Sequence, residues 1–258
     1  MTATGYQKHD PGDGIALAYE RKTGAAPTFV WLSGFRSDMT GTKAEALSQW
    51  AENKEQSFLR LDYSGHGASD GAFVDGTIGR WQEDARAVIE HAAPGPLVLI
   101  GSSMGAWIAL LLQRTMPARV KGLILIAPAP DFVVRLMWPS LPEAVQRQIM
   151  EQGRWDMPSA YDPEPTPITR ALVEDGRRNL VLDAPIPFTG PVRILHGTDD
   201  RDVPIAHGRL VFDTLQSPDK RFLVVEGGDH RLSNEQDITL LLDTADEVRT
   251  ALAENSQK

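Results

Sequence analysis

The chain contains no cysteine. That excludes a disulfide framework, a thiolate nucleophile and any cysteine-held metal. It is also short of cations, with 26 Lys and Arg against 35 Asp and Glu and a formal net charge of -9. A balance of that sign argues against nucleic acid or an anionic membrane as a partner. No apolar run approaches the roughly 20 residues that span a bilayer, so no integral membrane association is expected. The opening Met1-Thr2-Ala3-Thr4-Gly5-Tyr6 lacks the cationic start and apolar centre of a secretory signal. From these absences a cytoplasmic protein is the expectation. Internal repeats and low-complexity tracts are missing too. At 258 residues and 41% hydrophobic side chains, the chain can build one α/β domain with an insertion.

What the chain does have is concentrated in Leu97-Val98-Leu99-Ile100-Gly101-Ser102-Ser103-Met104-Gly105. A short apolar run of this kind suits a buried parallel strand, and a helix-forming run follows from Met104 to Leu112. Between them stands Gly-x-Ser-x-Gly in strand-then-helix context, the setting of a nucleophile elbow. Such a turn leaves no room for side chains at its flanks and holds the central Ser103 on a strained backbone, its Oγ exposed above the sheet. Ser102, flanked differently, is expected to point into the sheet.

The rest of the chain fits around that stretch. Strands are predicted at Ile15–Arg21, Thr28–Leu32, Ser57–Asp62, Leu123–Ala127, Val192–His196 and Phe222–Glu226. Helices are predicted at Thr42–Trp50, Ile78–His91, Ala206–Leu215 and Glu235 to about Ala253. This alternation implies a mostly parallel sheet covered on both faces. From about Asp131 to Pro187 it fails. Prolines interrupt that stretch (Pro139, Pro142, Pro158, Pro163, Pro165 and Pro167 among them), yet it carries Trp138, Leu141, Ile149, Met150 and Trp155. It is expected to be a helical cap insertion rather than a second domain.

A serine hydroxyl needs a base, and the base a carboxylate to orient it. In this architecture the order should be Ser, acid, His. After Ser103 only His196, His207 and His230 occur. His230 lies in a Gly-rich loop beyond a strand end, where functional loops of parallel sheets gather, so it is the predicted base. The loop after Val192–His196 should supply the acid, and Asp199, Asp200 and Asp202 compete for it. His196 is expected to order that loop through a backbone hydrogen bond, and His66 and His207 to be structural. Two amides should receive the oxyanion: the N–H of Met104, after the serine, and that of Phe35, in the turn beyond Thr28–Leu32. No group of residues has metal-ligand spacing, and Gly65-His66-Gly67 and Gly227-Gly228 are too short to cradle phosphate. Neither a metal nor a cofactor is expected.

Taken together, these stretches resemble the α/β-hydrolase superfamily: Ser33-Gly34-Phe35, Asp62-Tyr63-Ser64-Gly65-His66-Gly67-Ala68-Ser69, the elbow, His196-Gly197 through Val203-Pro204, and Gly228-Asp229-His230. The segment Gly34-Phe35-Arg36-Ser37-Asp38-Met39 with Gly41-Thr42-Lys43-Ala44 further resembles the acyl-protein (palmitoyl-protein) thioesterase branch. The resemblance implies a cofactor-free serine hydrolase acting on small-molecule or acyl-protein esters and thioesters through an acyl-enzyme. Its His-Gly-x-x-Asp-x-x-Val-Pro pattern aligns the acid on Asp200, leaving Asp202 to cap the following helix. Ser33 departs from the family, standing where many members have His. The competing expectation is a ligand-binding protein on the same fold that turns over negligibly. Oligomeric state is not legible.

Overall fold

The computed structural model describes residues 5–158 and 164–255. An antiparallel pair, β1 (Gln7–His9) and β2 (Leu17–Lys22), opens the chain. Strands and helices then alternate: β3 (Ala25–Leu32), α1 (Thr42–Asn53), β4 (Gln56–Leu61), α2 (Ile78–Ala92), β5 (Leu97–Ser102), α3 (Met104–Thr115) and β6 (Val120–Ile126). The alternation pauses after β6 for α4 (Trp138–Ser140), α5 (Glu143–Gln152), β7 (Arg154–Met157), β8 (Thr166–Thr169), α6 (Arg170–Arg178) and β9 (Ile186–Pro187). It resumes with β10 (Val192–Gly197), α7 (Ile205–Thr214), β11 (Leu215–Gln216), β12 (Lys220–Val225) and α8 (Glu235–Asn255).

Eight strands form one sheet in the order β1-β2-β4-β3-β5-β6-β10-β12. From β4 to β12 every neighbour is parallel. The reason is visible in β5 and β6, whose residues are apolar at nearly every position. Leu97, Leu99, Leu123 and Leu125 enter one core with α2 and α3, while Val98, Ile100, Ile124 and Ile126 enter another with α1 and α8. A strand buried on both faces has no polar side to show, so alternation sorts its residues between two cores instead. The strand order reverses between β3 and β5, because the chain leaves β3 towards β4 on one side and leaves β5 towards β6 on the other. Parallel sheets bind ligands in the crevice outside the carboxyl ends at such a reversal.

Two features exceed the expectation. The three-residue β1 has no apolar alternation to reveal it. The segment between β6 and β10 is helical as predicted, but also contains a hairpin, Arg154–Met157 paired with Thr166–Thr169. Pro165 and Pro167 lie at and within its second strand, which hides it from any periodicity argument. Trp138, Leu141 and Trp155 pack, half-buried, on the core that holds α3, and Ile149 is fully buried there.

Candidate active site

Ser103 links β5 to α3 with φ 53° and ψ -115°, a backbone that few residues other than glycine adopt readily. Its flanking glycines are required by contact. A side chain at Gly101 would strike the carbonyl of Gly105, and one at Gly105 the carbonyl of Leu32. The Ser103 N–H donates to the Ile126 carbonyl at 2.9 Å, tying the turn to β6. Ser102 is buried at the end of β5. Among the described residues, six other than glycine have positive φ. Five of them (Arg36, Ser103, Ala127, Asp131 and Leu232) follow the carboxyl ends of β3, β5, β6 and β12, so backbone strain is gathered at one end of the sheet.

Two strand ends bring the predicted acid and base together there. Gly197, ending β10, lies so close to Gly228 that any side chain would meet the Gly228 carbonyl. Hydrogen bonds from Thr198 N–H to the Val225 carbonyl (3.0 Å) and Asp199 N–H to the Gly228 carbonyl (2.9 Å) join the two loops. Within this frame His230 Nδ1 stands 2.8 Å from Asp200 Oδ2 and His230 Nε2 3.1 Å from Ser103 Oγ. The carboxylate accepts from Nδ1–H, which leaves the Nε2 lone pair for the serine hydroxyl. Asp200 Oδ1 accepts from the N–H groups of Asp202 (3.0 Å) and Val203 (2.8 Å). Burial works to raise the Asp200 carboxyl. The hydrogen bonds from His196, His230 and the Val203 N–H outweigh it and hold the group well below the usual carboxylate range.

His196 makes the expected backbone bond, its Nε2 2.9 Å from the Val203 carbonyl, and also lies 3.3 Å from Asp200 Oδ2. That second contact was not foreseen. Asp199 and Asp202 are exposed, and neither reaches His230 by a hydrogen bond among the described residues. Asp202 does not cap α7, contrary to expectation. The helix starts from Pro204 with no side-chain cap, because the turn before it is closed by Asp200 instead. Ligating atoms of Asp200, Asp202 and His230 lie within 4.8 Å of one another. A cation there would compete with the imidazole N–H for Asp200.

The opposite wall comes from β3. Gly34 packs on the elbow, so that a β-carbon there would sit 3.4 Å from the Ser102 carbonyl oxygen and 3.5 Å from the Ser103 β-carbon. The turn is held from below: Tyr63 Oη donates to the Ser33 carbonyl (3.2 Å), and Asp62 accepts from the N–H groups of Met39 (2.7 Å) and Ala68 (2.8 Å). Among the described residues no backbone acceptor takes the N–H of Phe35, and Met104 opens α3, where helical amides have no partner within the helix. The Phe35 ring meets Phe73 and Phe132 edge-on at 5.0 and 5.6 Å, giving this wall an apolar surface. Arg36 donates to the Pro165 carbonyl (3.1 Å) and lies over Phe73, joining the turn to the β7–β8 hairpin. His66 and His207 are buried and bonded to the carbonyls of Ser64 and Pro130, as structural histidines should be. Lys43, in the first turn of α1, reaches across to the His230 loop. Nothing in its spacing announced that, although it falls in a stretch the sequence had singled out.

Residues 29–244 match the alpha/beta hydrolase family. The chain belongs to that family. It is similar to the mouse (Mus musculus) palmitoyl-protein thioesterase ABHD10, mitochondrial, with 37% identity over 90% of this chain and 78% of the relative. The structure of alpha/beta hydrolase domain-containing protein 10 from mouse superposes with a TM-score of 0.88 at 35% identity, covering 96% of this α/β hydrolase and 99% of that chain. A putative hydrolase from Agrobacterium vitis S4 superposes with a TM-score of 0.89 at 42% identity, covering 94% and 98%. The relatives also correct one expectation. The mouse and human thioesterases are mitochondrial by name, which points away from the cytoplasm. An apolar leader marks only the secretory route, whereas mitochondrial leaders are amphipathic and Arg- and Ser-rich.

Proposed function

We propose that this α/β hydrolase is a serine hydrolase of acyl thioesters and carboxylic esters, with Ser103 as nucleophile, His230 as base and Asp200 as its orienting acid. The observation that carries the reading is the unbroken line from Asp200 through His230 to Ser103, at 2.8 and 3.1 Å, ending on a strained serine at the strand-order reversal. His230 takes the Ser103 proton as Oγ attacks the carbonyl carbon, and the Asp200 carboxylate stabilises the imidazolium. The N–H groups of Phe35 and Met104 receive the oxyanion. The tetrahedral adduct collapses, the thiol or alcohol leaves with the proton from His230, and an acyl-serine remains. Water then attacks, giving its proton to His230, and the carboxylic acid departs as Ser103 recovers its hydrogen.

The chain functions in this reading as one α/β-hydrolase domain. The segment from about Asp131 to Pro187 caps the site in this reading, and its half-buried Met137, Trp138 and Trp155 offer apolar surface to a medium to long acyl chain. The thioesterase name of the mammalian relatives supports the thioester half of the proposal. So does chemistry: a thiolate leaves more readily than an amine, so peptide amides should be inert.

A fluorophosphonate should label the protein stoichiometrically at Ser103. Ser103→Ala should abolish labelling and lower turnover by several orders of magnitude, while Ser102→Ala should not. For matched thioesters and oxygen esters, kcat/KM should rise from acetyl to longer chains and favour the thioester. A steady decline from acetyl upward, with no thioester advantage, would make the protein a small-ester carboxylesterase. Absence of labelling would favour the ligand-binding alternative.

A further inference from the structure

Lys43 takes no part in the steps above, yet it spans the distance between their two sides. It stands in the first turn of α1, the helix that the turn carrying Phe35 leads into. Its ammonium donates to the Arg231 carbonyl and, at 3.1 Å, to Ser233 Oγ. The first acceptor belongs to the residue after His230, and the two together flank the strained Leu232, whose φ is 43°. The remainder of that loop is held by Asp229, whose Oδ1 accepts from the N–H groups of Arg231 (3.0 Å) and Leu232 (2.9 Å). A short loop with a positive-φ residue stays in place only when its surroundings over-determine it. Leu232 is buried in the core that α1 also enters, and Lys43 adds the polar tie, its side chain hydrogen-bonding from α1 to this loop.

We infer that Lys43 is a positioning residue for the reaction: its ammonium clamps the loop after His230 onto α1 and so fixes the distance from His230 Nε2 to Ser103 Oγ. The inference rests on the serine-hydrolase reading and adds a regulated element to it. Charge matters because ammonium hydrogen bonds are roughly twice as strong as those of a neutral amine. Burial brings the Lys43 ammonium down to about 8, against the opposing attraction of Asp229 and Asp237 and with a smaller push from Arg231. Those are the charged groups that face it from the loop and from the start of α8. The clamp is therefore closed below pH 8 and weakens as the pH rises through it. An imidazole base alone gives activity that rises with pH and then levels off, so a fall near pH 8 would be a distinct signature.

The test measures fluorophosphonate labelling rates and thioester kcat and KM from about pH 6 to about 10, for wild type, Lys43→Met and Lys43→Arg. Wild type should lose about tenfold in labelling rate and kcat, with KM little changed, around a midpoint near 8. Lys43→Met should be about tenfold slow and flat across that range, and Lys43→Arg, which keeps its charge, should stay fast without the midpoint. If Lys43→Met matches wild type, or Lys43→Arg retains the same midpoint, the inference is wrong. Should either variant show no cooperative thermal transition, Ser233→Ala replaces it. Losing one acceptor must move the wild-type midpoint to lower pH, and an unmoved midpoint again overturns the clamp. A wild-type protein that takes no label at any pH defeats the serine-hydrolase reading itself. A labelled protein indifferent to residue 43 defeats only the inference drawn from it.

Discussion

Four nitrogens from four residues surround the Asp200 carboxylate: the backbone of Asp202 and Val203 on one oxygen, His230 and His196 on the other. Asparagine cannot satisfy that set. With its carbonyl towards the two N–H groups, its amide would face His230 Nδ1 and force the proton onto Nε2, where the lone pair is needed. Asp200→Asn is therefore expected to cost on the order of 10^4 in kcat, with KM little changed, in steady-state assays of a thioester. Asp199→Asn and Asp202→Asn should stay within a few-fold, since both side chains are exposed and outside the line. Residue types alone left these three aspartates equal, because a loop has no period to rank them. What separates them is a turn closed by one carboxylate oxygen, a fact of three dimensions. The serine and histidine were legible earlier because each sits at a fixed offset from glycines that only a crowded turn requires.

Elements were legible where the chain is buried on both sides. β5 and β6 announce themselves as apolar runs, and α3, whose first ten residues are all buried, as an apolar helix. A helix buried all round needs cover on its outer face, and the segment after β6 provides it: the Trp107 indole donates to the Asn179 carbonyl at 2.9 Å, and Gly176 lets α6 approach Val133 and Trp107. The neck of that segment is closed by buried Asp131, which accepts from the N–H groups of Val181 (2.9 Å) and Leu182 (3.0 Å). None of this has a sequence period, so the segment read as irregular. Replacing residues between about 140 and 168 by a short linker keeps the neck and α6 and removes the middle of the proposed cap, with Leu141, Ile149, Met150 and Trp155. It should raise KM for long-chain substrates far more than for acetyl esters, as each methylene left in water forfeits roughly 0.8 kcal/mol. Equal losses across chain length would mean that this stretch only shields the core.

For the molecule as a whole, pH acts through groups the reaction does not use. The His66 imidazole lies in a box of Tyr63, Phe73 and Trp81, and burial pushes it down to about 4. Unfolded chains protonate such a group near 6.5, so between 6.5 and 4 the unfolded state binds more protons and stability falls as the pH falls. The contribution is about 3 kcal/mol, fully lost below pH 4. Denaturant midpoints measured from pH 7 to pH 4 should drop more steeply for wild type than for His66→Gln, which has no proton to gain. Parallel slopes would assign the acid sensitivity to other groups.

Five of the six described positive-φ residues other than glycine crowd one end of the sheet, and Ser103 is the one on which the proposed chemistry depends. A backbone in that region costs a residue with a β-carbon roughly 1–3 kcal/mol, and glycine escapes most of it. Ser103→Gly should accordingly melt higher than wild type, and Ser103→Ala should not, although the proposed mechanism makes both inert. The descent towards a sturdier fold thus passes through loss of the catalyst. Over generations in which only folding mattered, this position would drift to glycine, and on the proposed mechanism the serine stays there for the sake of turnover.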